Sequence, residues 1–276
     1  LSDTNQSWSG DDSDLPIKSV NTVFSRGTEL FVGTLGGGIY HSSDQGKRWR
    51  SANSDLPQNS NIQAITAVGN TLLTAVFGEG VYRSVNNGET WNVVNNGLTN
   101  KYVNKLAVSN EIIYAATDGG VFRSIDAGAN WTIQNSGLSN YRVLSLLTKG
   151  NTIYAGTDGG GVFASTDQGQ NWIAVNNGLK SLRIVSLGLG ANGTTLLAGT
   201  ENAGIYISRD DGQSWNAGNG GIPLSLYVNA FVASGSAIYA GSVYGVFVST
   251  DDGTSWKQIN AGLLDVFVTG LAVSGD

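Results

Sequence analysis

The sequence predicts an all-β fold: a seven-bladed β-propeller of four-stranded antiparallel blades, the seventh blade shared by the N- and C-termini. Three observations carry that expectation. They are a ladder of tryptophans, a turn octet that closes on most of its rungs, and short apolar strands repeated around each octet. A repeat is weighed first because it sets the architecture before any local reading does.

The seven tryptophans are Trp8, Trp49, Trp91, Trp131, Trp172, Trp215 and Trp256, spaced 40 to 43 residues apart. Six of them end an octet of the form S-x-D-x-G-x-x-W. The octets are Ser42/Asp44/Gly46/Trp49, Ser84/Asn86/Gly88/Trp91 and Ser124/Asp126/Gly128/Trp131, then Ser165/Asp167/Gly169/Trp172, Ser208/Asp210/Gly212/Trp215 and Ser249/Asp251/Gly253/Trp256. The second carries Asn in the acid position. A short carboxylate or amide accepts backbone N–H bonds across a tight turn, the serine hydroxyl bonds locally, and glycine takes positive φ. The tryptophan then opens the next strand and buries its ring between layers, worth about 2–3 kcal/mol of area burial.

Each octet sits in the same surroundings. Upstream lies an apolar strand such as ELFVGT (29–34), IIYAAT (112–117), TIYAGT (152–157) or AIYAGS (237–242). A glycine-rich turn follows, then a strand such as GVYRS (80–84) or GVFAS (161–165). After the tryptophan a strand ends in NNGL or NSGL, and a further apolar run such as YVNKLAVS (102–109) leads into the next unit. Four short strands per repeat make a propeller blade. No stretch sustains a helical period, and glycine recurs too often for helices.

The octet closely resembles the Asp-box, or bacterial neuraminidase repeat, and the resemblance spans essentially the whole chain. It implies that the octet forms the turn between the third and fourth strands of each blade. It also implies that Asp44, Asp126, Asp167, Asp210 and Asp251 are structural. It does not select a function, since sialidases, xyloglucan-degrading glycosidases, sortilin-type receptors and photosystem II assembly-factor propellers all carry it. Calcium ligation by RDDG or TDDG is the alternative reading, but each turn offers too few oxygens for a Ca²⁺ shell.

On this pattern residues 1–276 form a single propeller domain. Its units run at about 17–57, 58–98, 101–138, 141–179, 182–223 and 226–263. The split blade would combine 264–276 with 1–16. Residues 266–276 align with a first strand, and LSDTNQSW (1–8) reads as a worn octet with Asp3 in the acid position. Its middle strands, the counterparts of 112–123, are absent, so the natural chain is expected to continue past Asp276; the alternative is six closed blades with both ends as appendages.

Composition narrows the partners. With 15 basic against 21 acidic residues the net charge is −6, which disfavours nucleic acid and anionic membranes. No cysteine is present, so disulfides and thiolate metal sites are excluded. No apolar run reaches a membrane span, and no signal peptide is visible. A secreted, periplasmic or cell-surface location is expected; oligomeric state is left open.

Little points to bond chemistry. The one histidine, His41, falls just before an octet and reads as a surface strand residue; without a second histidine or a cysteine, a Ser–His–Asp site or a histidine-held metal lacks its parts. No phosphate-cradling loop appears, and no cofactor is implied. The sialidase pattern requires an Arg-Ile-Pro segment, but the only Ile-Pro, at 222–223, follows Gly221. Xyloglucan-active relatives use two such propellers, and one is present. Sequons at Asn5, Asn130 and Asn192 are what an Asn-rich chain produces.

A ligand would sit where loops enter the innermost strands. The column before those strands reads Ser19, Asn61, Tyr102, Arg142, Arg183, Tyr227 and Phe267, with Lys101, Tyr141 and Lys180 beside it. Facing loops after the second strands supply Glu79, Asp118, Asp158 and Glu201. Arginine, tyrosine and carboxylate together suit a polar ligand such as a peptide or a sugar. The leading expectation is a non-catalytic binding scaffold for protein or glycan. The alternatives are a glycoside hydrolase using Asp118, Asp158 or Glu201, and an assembly factor gripping a protein. Carboxylates paired across a cleft favour the hydrolase; carboxylates salt-bridged locally favour the scaffold.

Overall fold

The computed structural model describes residues 15–16, 19–263 and 266–273. The octet at 1–8, with Asp3 and Trp8, lies outside them. Blade one holds β1 (Val20–Arg26), β2 (Glu29–Thr34), β3 (Ile39–Ser42) and β4 (Arg50–Ser51). Blade two holds β5 (Ile62–Val68), β6 (Thr71–Val76), β7 (Gly80–Ser84) and β8 (Asn92–Val93). Blade three holds β9 (Val103–Ser109), β10 (Ile112–Thr117), β11 (Gly120–Ser124) and β12 (Thr132–Ile133). Blade four holds β13 (Val143–Lys149), β14 (Thr152–Thr157), β15 (Val162–Ser165) and β16 (Ile173–Ala174). Blade five holds β17 (Ile184–Leu189), β18 (Leu196–Thr200), β19 (Ile205–Ser208) and β20 (Asn216–Ala217). Blade six holds β21 (Val228–Ser234), β22 (Ala237–Ser242), β23 (Gly245–Ser249) and β24 (Lys257–Gln258). Each blade is an antiparallel meander in chain order.

Among the described residues the fold is a six-bladed propeller, and the expected seventh blade is corrected. Residues 266–273 carry no strand. They run between the first strands of blades six and one, held from both sides. Asn229 Nδ2 donates to the Val268 carbonyl at 2.8 Å, and Thr269 Oγ1 donates to the Val20 carbonyl at 2.5 Å. Ser25 Oγ donates to the Val273 carbonyl at 2.6 Å. Among the described residues no strand pairs with this segment, and a sheet needs a partner.

The octets form the turns between third and fourth strands. In the first, the Gly46 N–H donates to Ser42 Oγ at 2.8 Å, Ser42 Oγ donates to Asp44 Oδ1 at 2.9 Å, and the Arg48 N–H donates to the same oxygen at 2.9 Å. The geometry recurs in every blade; in blade two, Asn86 Oδ1 accepts from the Thr90 N–H at 3.0 Å. These bonds favour the charged carboxylate. The Asn171 side chain and then its N–H hold Asp167 down at about 2, and Ser214 does the same for Asp210.

A second device joins the strands of each blade, and the sequence pattern only hinted at it. The first Asn of NNGL, and its counterparts, caps the third strand. Asn135 Oδ1 accepts from the Val121 N–H at 3.0 Å, and its Nδ2 donates to the Gly119 carbonyl at 2.9 Å. Asn53, Asn95, Asn176, Asn219 and Asn260 repeat both bonds.

The tryptophans hold blade to blade. Trp91, Trp131, Trp172, Trp215 and Trp256 are buried, and each donates its indole N–H to a carbonyl of the preceding blade at 2.7–3.0 Å. Trp49 is only half-buried and packs with the cluster of Leu15, Val32 and Tyr40.

His41 is not the surface residue expected from its place before an octet. It is 2% exposed, stacked on Phe31 with ring centroids 4.4 Å apart. The Arg50 guanidinium lies 3.0 Å from its Nδ1, and Glu29 Oε1 lies 3.4 Å from its Nε2. Burial, then the Arg50 cation, pushes the imidazole below its usual value of 6.5, with Glu29 opposing. A histidine with a depressed folded-state pKa contributes stability above its unfolded pKa, lost as pH falls below that value. Acidification from about pH 6.5 toward pH 5 is thus expected to lower the melting temperature more steeply in the native protein than in His41→Gln. Equal slopes of Tm against pH in the two proteins would remove His41 from this account. The octet aspartates contribute a separate loss, because depressed carboxylates keep their stabilising effect until pH drops under about 4.

Candidate functional site

The loop face is built by one register step beyond the strands. In each blade the residue before the first strand gives its carbonyl to the N–H of the residue after the second. The pairs are Ser19 with Leu35, Asn61 with Phe77, Tyr102 with Asp118, Arg142 with Asp158, Arg183 with Glu201 and Tyr227 with Val243, at 2.9–3.3 Å. The two columns read from the sequence are therefore one row of paired neighbours. Local turns set the approach: Asn100 Oδ1 accepts from the Tyr102 N–H at 3.0 Å, and Asn140 Oδ1 from the Arg142 N–H at 2.9 Å.

Side chains then link the blades. Arg142 reaches Asp118 of blade three at 3.3 Å and Asp158 of its own blade at 2.7 Å. Arg183 reaches Asp158 at 2.7 Å and is hydrogen-bonded to Glu201. The result is a relay, Asp118–Arg142–Asp158–Arg183–Glu201, across blades three to five. Asn104 Nδ2 steadies its end by donating to Asp118 Oδ1 at 2.9 Å. The Glu201 bond is the main cause that lifts the Arg183 guanidinium above its usual value. Arg142 is half-exposed, so each pair is worth about 1 kcal/mol or less to stability. The relay fixes geometry more than it stabilises the fold.

Aromatics extend the row. Phe77 meets Tyr102 edge-on, with ring centroids 5.3 Å apart. Phe77, Tyr102, Tyr141 and Phe267 are 46, 49, 54 and 58% exposed, large apolar areas to leave in water. Lys101 and Tyr141 stand on the face outside the relay, and Tyr227 continues the row beyond Arg183. In blade two the place after the second strand belongs to Phe77 and not to Glu79, and an apolar residue in that loop gives no carboxylate signal in the sequence. Glu79 belongs to a turn, its N–H bonded to the Val76 carbonyl at 3.0 Å. Asn104 was missed because its partner lies fourteen residues on. Among the described residues no three His, Cys, Asp or Glu gather as a metal site, and no helix is long and apolar enough to cross a membrane.

Residues 80–174 and 128–226 match the family described as the DUF6242 beta propeller domain. The chain belongs to the DUF6242 propeller family. Solved structures resemble it in fold at low identity. The extracellular domain of BT4673 from B. thetaiotaomicron is 14% identical with a TM-score of 0.76, over 93% of this chain and 36% of that one. The chain thus spans about a third of that relative's length. YCF48 bound to D1 peptide is 14% identical with a TM-score of 0.66, over 91% and 88% of the two chains. A GH74 enzyme of Niastella koreensis is 20% identical with a TM-score of 0.64, over 88% and 37%. No curated protein matches the sequence. The matched DUF6242 segment contains Tyr102, Asp118, Arg142, Asp158, Arg183 and Glu201, so the relay lies within the family domain.

Proposed function

We propose that this DUF6242 propeller is a non-catalytic binding scaffold that takes a protein or glycan on its loop face, outside the cytoplasm. One observation carries the reading: the carboxylates of the loop face are bound to arginines one after another. Glycoside hydrolysis needs two carboxyl groups free to address a bond from either side. Asp118, Asp158 and Glu201 instead hold the two arginines in place. What remains presented is a rigid rim of guanidinium, phenol and phenyl groups, the residue types that dominate binding hot spots. The six octets read as Asp-box turns with a structural task. A peptide-bound YCF48 and an extracellular BT4673 domain on the same fold support a protein partner and an external location by analogy of fold.

The test pairs a glycan array with a pull-down from the source organism, using the native protein and a Tyr102→Ala/Arg142→Ala/Arg183→Ala variant. A ligand held by the native protein and weakened at least about tenfold in the variant is expected, the effect of losing one hot spot of about 1.4 kcal/mol or more. Equal retention by both proteins would move the site off this face. Turnover of a polysaccharide that disappears in Asp158→Asn would make the protein a hydrolase and overturn the reading.

A further inference from the structure

A second candidate site lies at the seam between blades three and four, at the strand ends opposite the loop face. The turns that close β9–β10 and β13–β14 sit side by side there. Ser109 Oγ donates to the Gly150 carbonyl at 3.1 Å, and Asn110 Nδ2 donates to Asn151 Oδ1 at 2.9 Å. Together with the octet turn of blade four they surround a pocket of about 390 Å³. Small-molecule sites run from about 300 to 1,000 Å³, so this one has room for a mono- or disaccharide.

The pocket is open because one side chain is short. Arg26, Ser109 and Lys149 each end the first strand of their blade, in the same register: Arg26 pairs with Glu29, Ser109 with Ile112 and Lys149 with Thr152. Arg26 reaches the octet turn of the next blade and is hydrogen-bonded to Asn87. Lys149 does the same, donating to Asp211 at 2.5 Å. Gln168 holds the matching octet place, with φ of +62° against +60° for Asn87 and +59° for Asp211. Ser109 carries only a hydroxyl, already given to Gly150, and it cannot span the seam. The space that a long cation fills at two other seams is therefore left free at this one.

The lining is polar but offers no free charge. No lysine, arginine or histidine lines the pocket, and Asp167 is its one carboxylate. Both of its oxygens are taken: Oδ1 accepts from the Ser165 hydroxyl at 2.8 Å and the Asn171 N–H at 2.9 Å, and Oδ2 accepts from the Asn171 amide at 2.8 Å. Hydroxyl and amide groups remain. The exposed side chains of Thr166 and Gln170 form no hydrogen bond among the described residues. Asn110 Oδ1, Asn151 Nδ2 and Gln168 Nε2 are the unspent halves of amides whose other halves are bonded, Gln168 Oε1 to Arg123 at 2.6 Å. We infer that this pocket binds a neutral sugar, its hydroxyls shared among Thr166 and the amides of Asn110, Asn151, Gln168 and Gln170. A sugar hydroxyl both donates and accepts, which suits a lining that holds donors and acceptors together. Half-buried Ile112 adds a small apolar wall for a carbon-bound face of the ring. An anion would find no cation there, and a cation would find a carboxylate already spent. Neither the relay nor the aromatic rim takes part, so the site stands or falls apart from the scaffold reading.

Glucose, galactose, mannose and xylose are the probes, each titrated by saturation-transfer NMR against the native protein, Ser109→Lys and Thr166→Ala/Gln170→Ala. At least one sugar is expected to bind the native protein at about 10 mM or tighter, and at least about tenfold more weakly in both variants. Ser109→Lys copies the plug that Lys149 supplies one blade on. Thr166 and Gln170 are exposed, so the double truncation is expected to melt with the native protein and reports on the site even where the lysine variant does not fold. The Tyr102→Ala/Arg142→Ala/Arg183→Ala protein is expected to bind the same sugar unchanged. Failure of all four sugars to bind the native protein, or binding indifferent to the double truncation, would overturn the site. Loss of the sugar in the loop-face variant alone would place it on that face and overturn this inference while leaving the scaffold reading standing. Glucuronate binding as tightly as the best neutral sugar would overturn the neutral class.

Discussion

Trp131→Ala is expected to lower the unfolding free energy by about 3–5 kcal/mol, the range for truncating a buried aromatic. Trp131 is 3% exposed in a cluster with Leu73, Val94, Leu98 and Leu106, so its removal leaves a cavity on the seam between blades two and three. Two polar links belong to the same residue. The indole N–H donates to the Val94 carbonyl at 2.8 Å, and the backbone N–H to the Asn96 carbonyl at 2.8 Å. Alanine keeps the second and strands the first acceptor. Trp131→Phe separates the contributions, since it refills much of the space but leaves that carbonyl unpaired, at about 1–3 kcal/mol. Trp49→Ala is the internal comparison: this half-buried ring packs at the Leu15 cluster and has less contact to lose. Urea unfolding of the three variants reads all of this. A Trp49→Ala loss as large as that of Trp131→Ala would end the idea that burial between blades sets the effect.

Gly97→Ala is the second large effect, at about 2–5 kcal/mol. Gly97 has φ of +80°, and a Cβ built there meets the Trp131 carbonyl oxygen at 2.1 Å. The left-handed conformation costs an L-residue about 1–2 kcal/mol. The collision adds about 1–3 kcal/mol of overpacking, because the oxygen is backbone and its strand must move. Gly137, Gly178 and Gly221 stand in the same relation to Trp172, Trp215 and Trp256. The glycine of NNGL is thus the seat for the next blade's tryptophan. Gly150→Ala isolates the collision: φ there is +55° with no atom within 4 Å of the built Cβ, so only the conformational cost remains. Equal destabilisation by the two substitutions, in thermal or urea melts, would show that the tryptophan seat contributes nothing.

Most of the blade was legible because its information is local. The octet's bonds close within a few residues, as Ser42, Asp44 and Gly46 show. The glycine-rich turns also announce themselves, since Gly120 must leave room for the capping Asn135 amide. The arginine column was legible through the repeat, because aligned positions share a place in space. His41 misled for a related reason: its column is partly exposed at Arg83 and Arg123, yet stacking on Phe31 buries it. Alignment transmits position, while burial depends on neighbours that differ from blade to blade.

The chain's own letters determined the all-β class, the blade unit, the turn chemistry and the ring of tryptophans. Tertiary structure alone decided the number of blades among the described residues, the pairing of Arg142 and Arg183 with carboxylates, and the burial of His41. Each of these depends on groups brought together from different blades or from distant parts of one. Residues 266–273 match a first strand in sequence, yet a strand exists only where a partner's N–H and C=O groups meet it, and that meeting is a property of the folded whole.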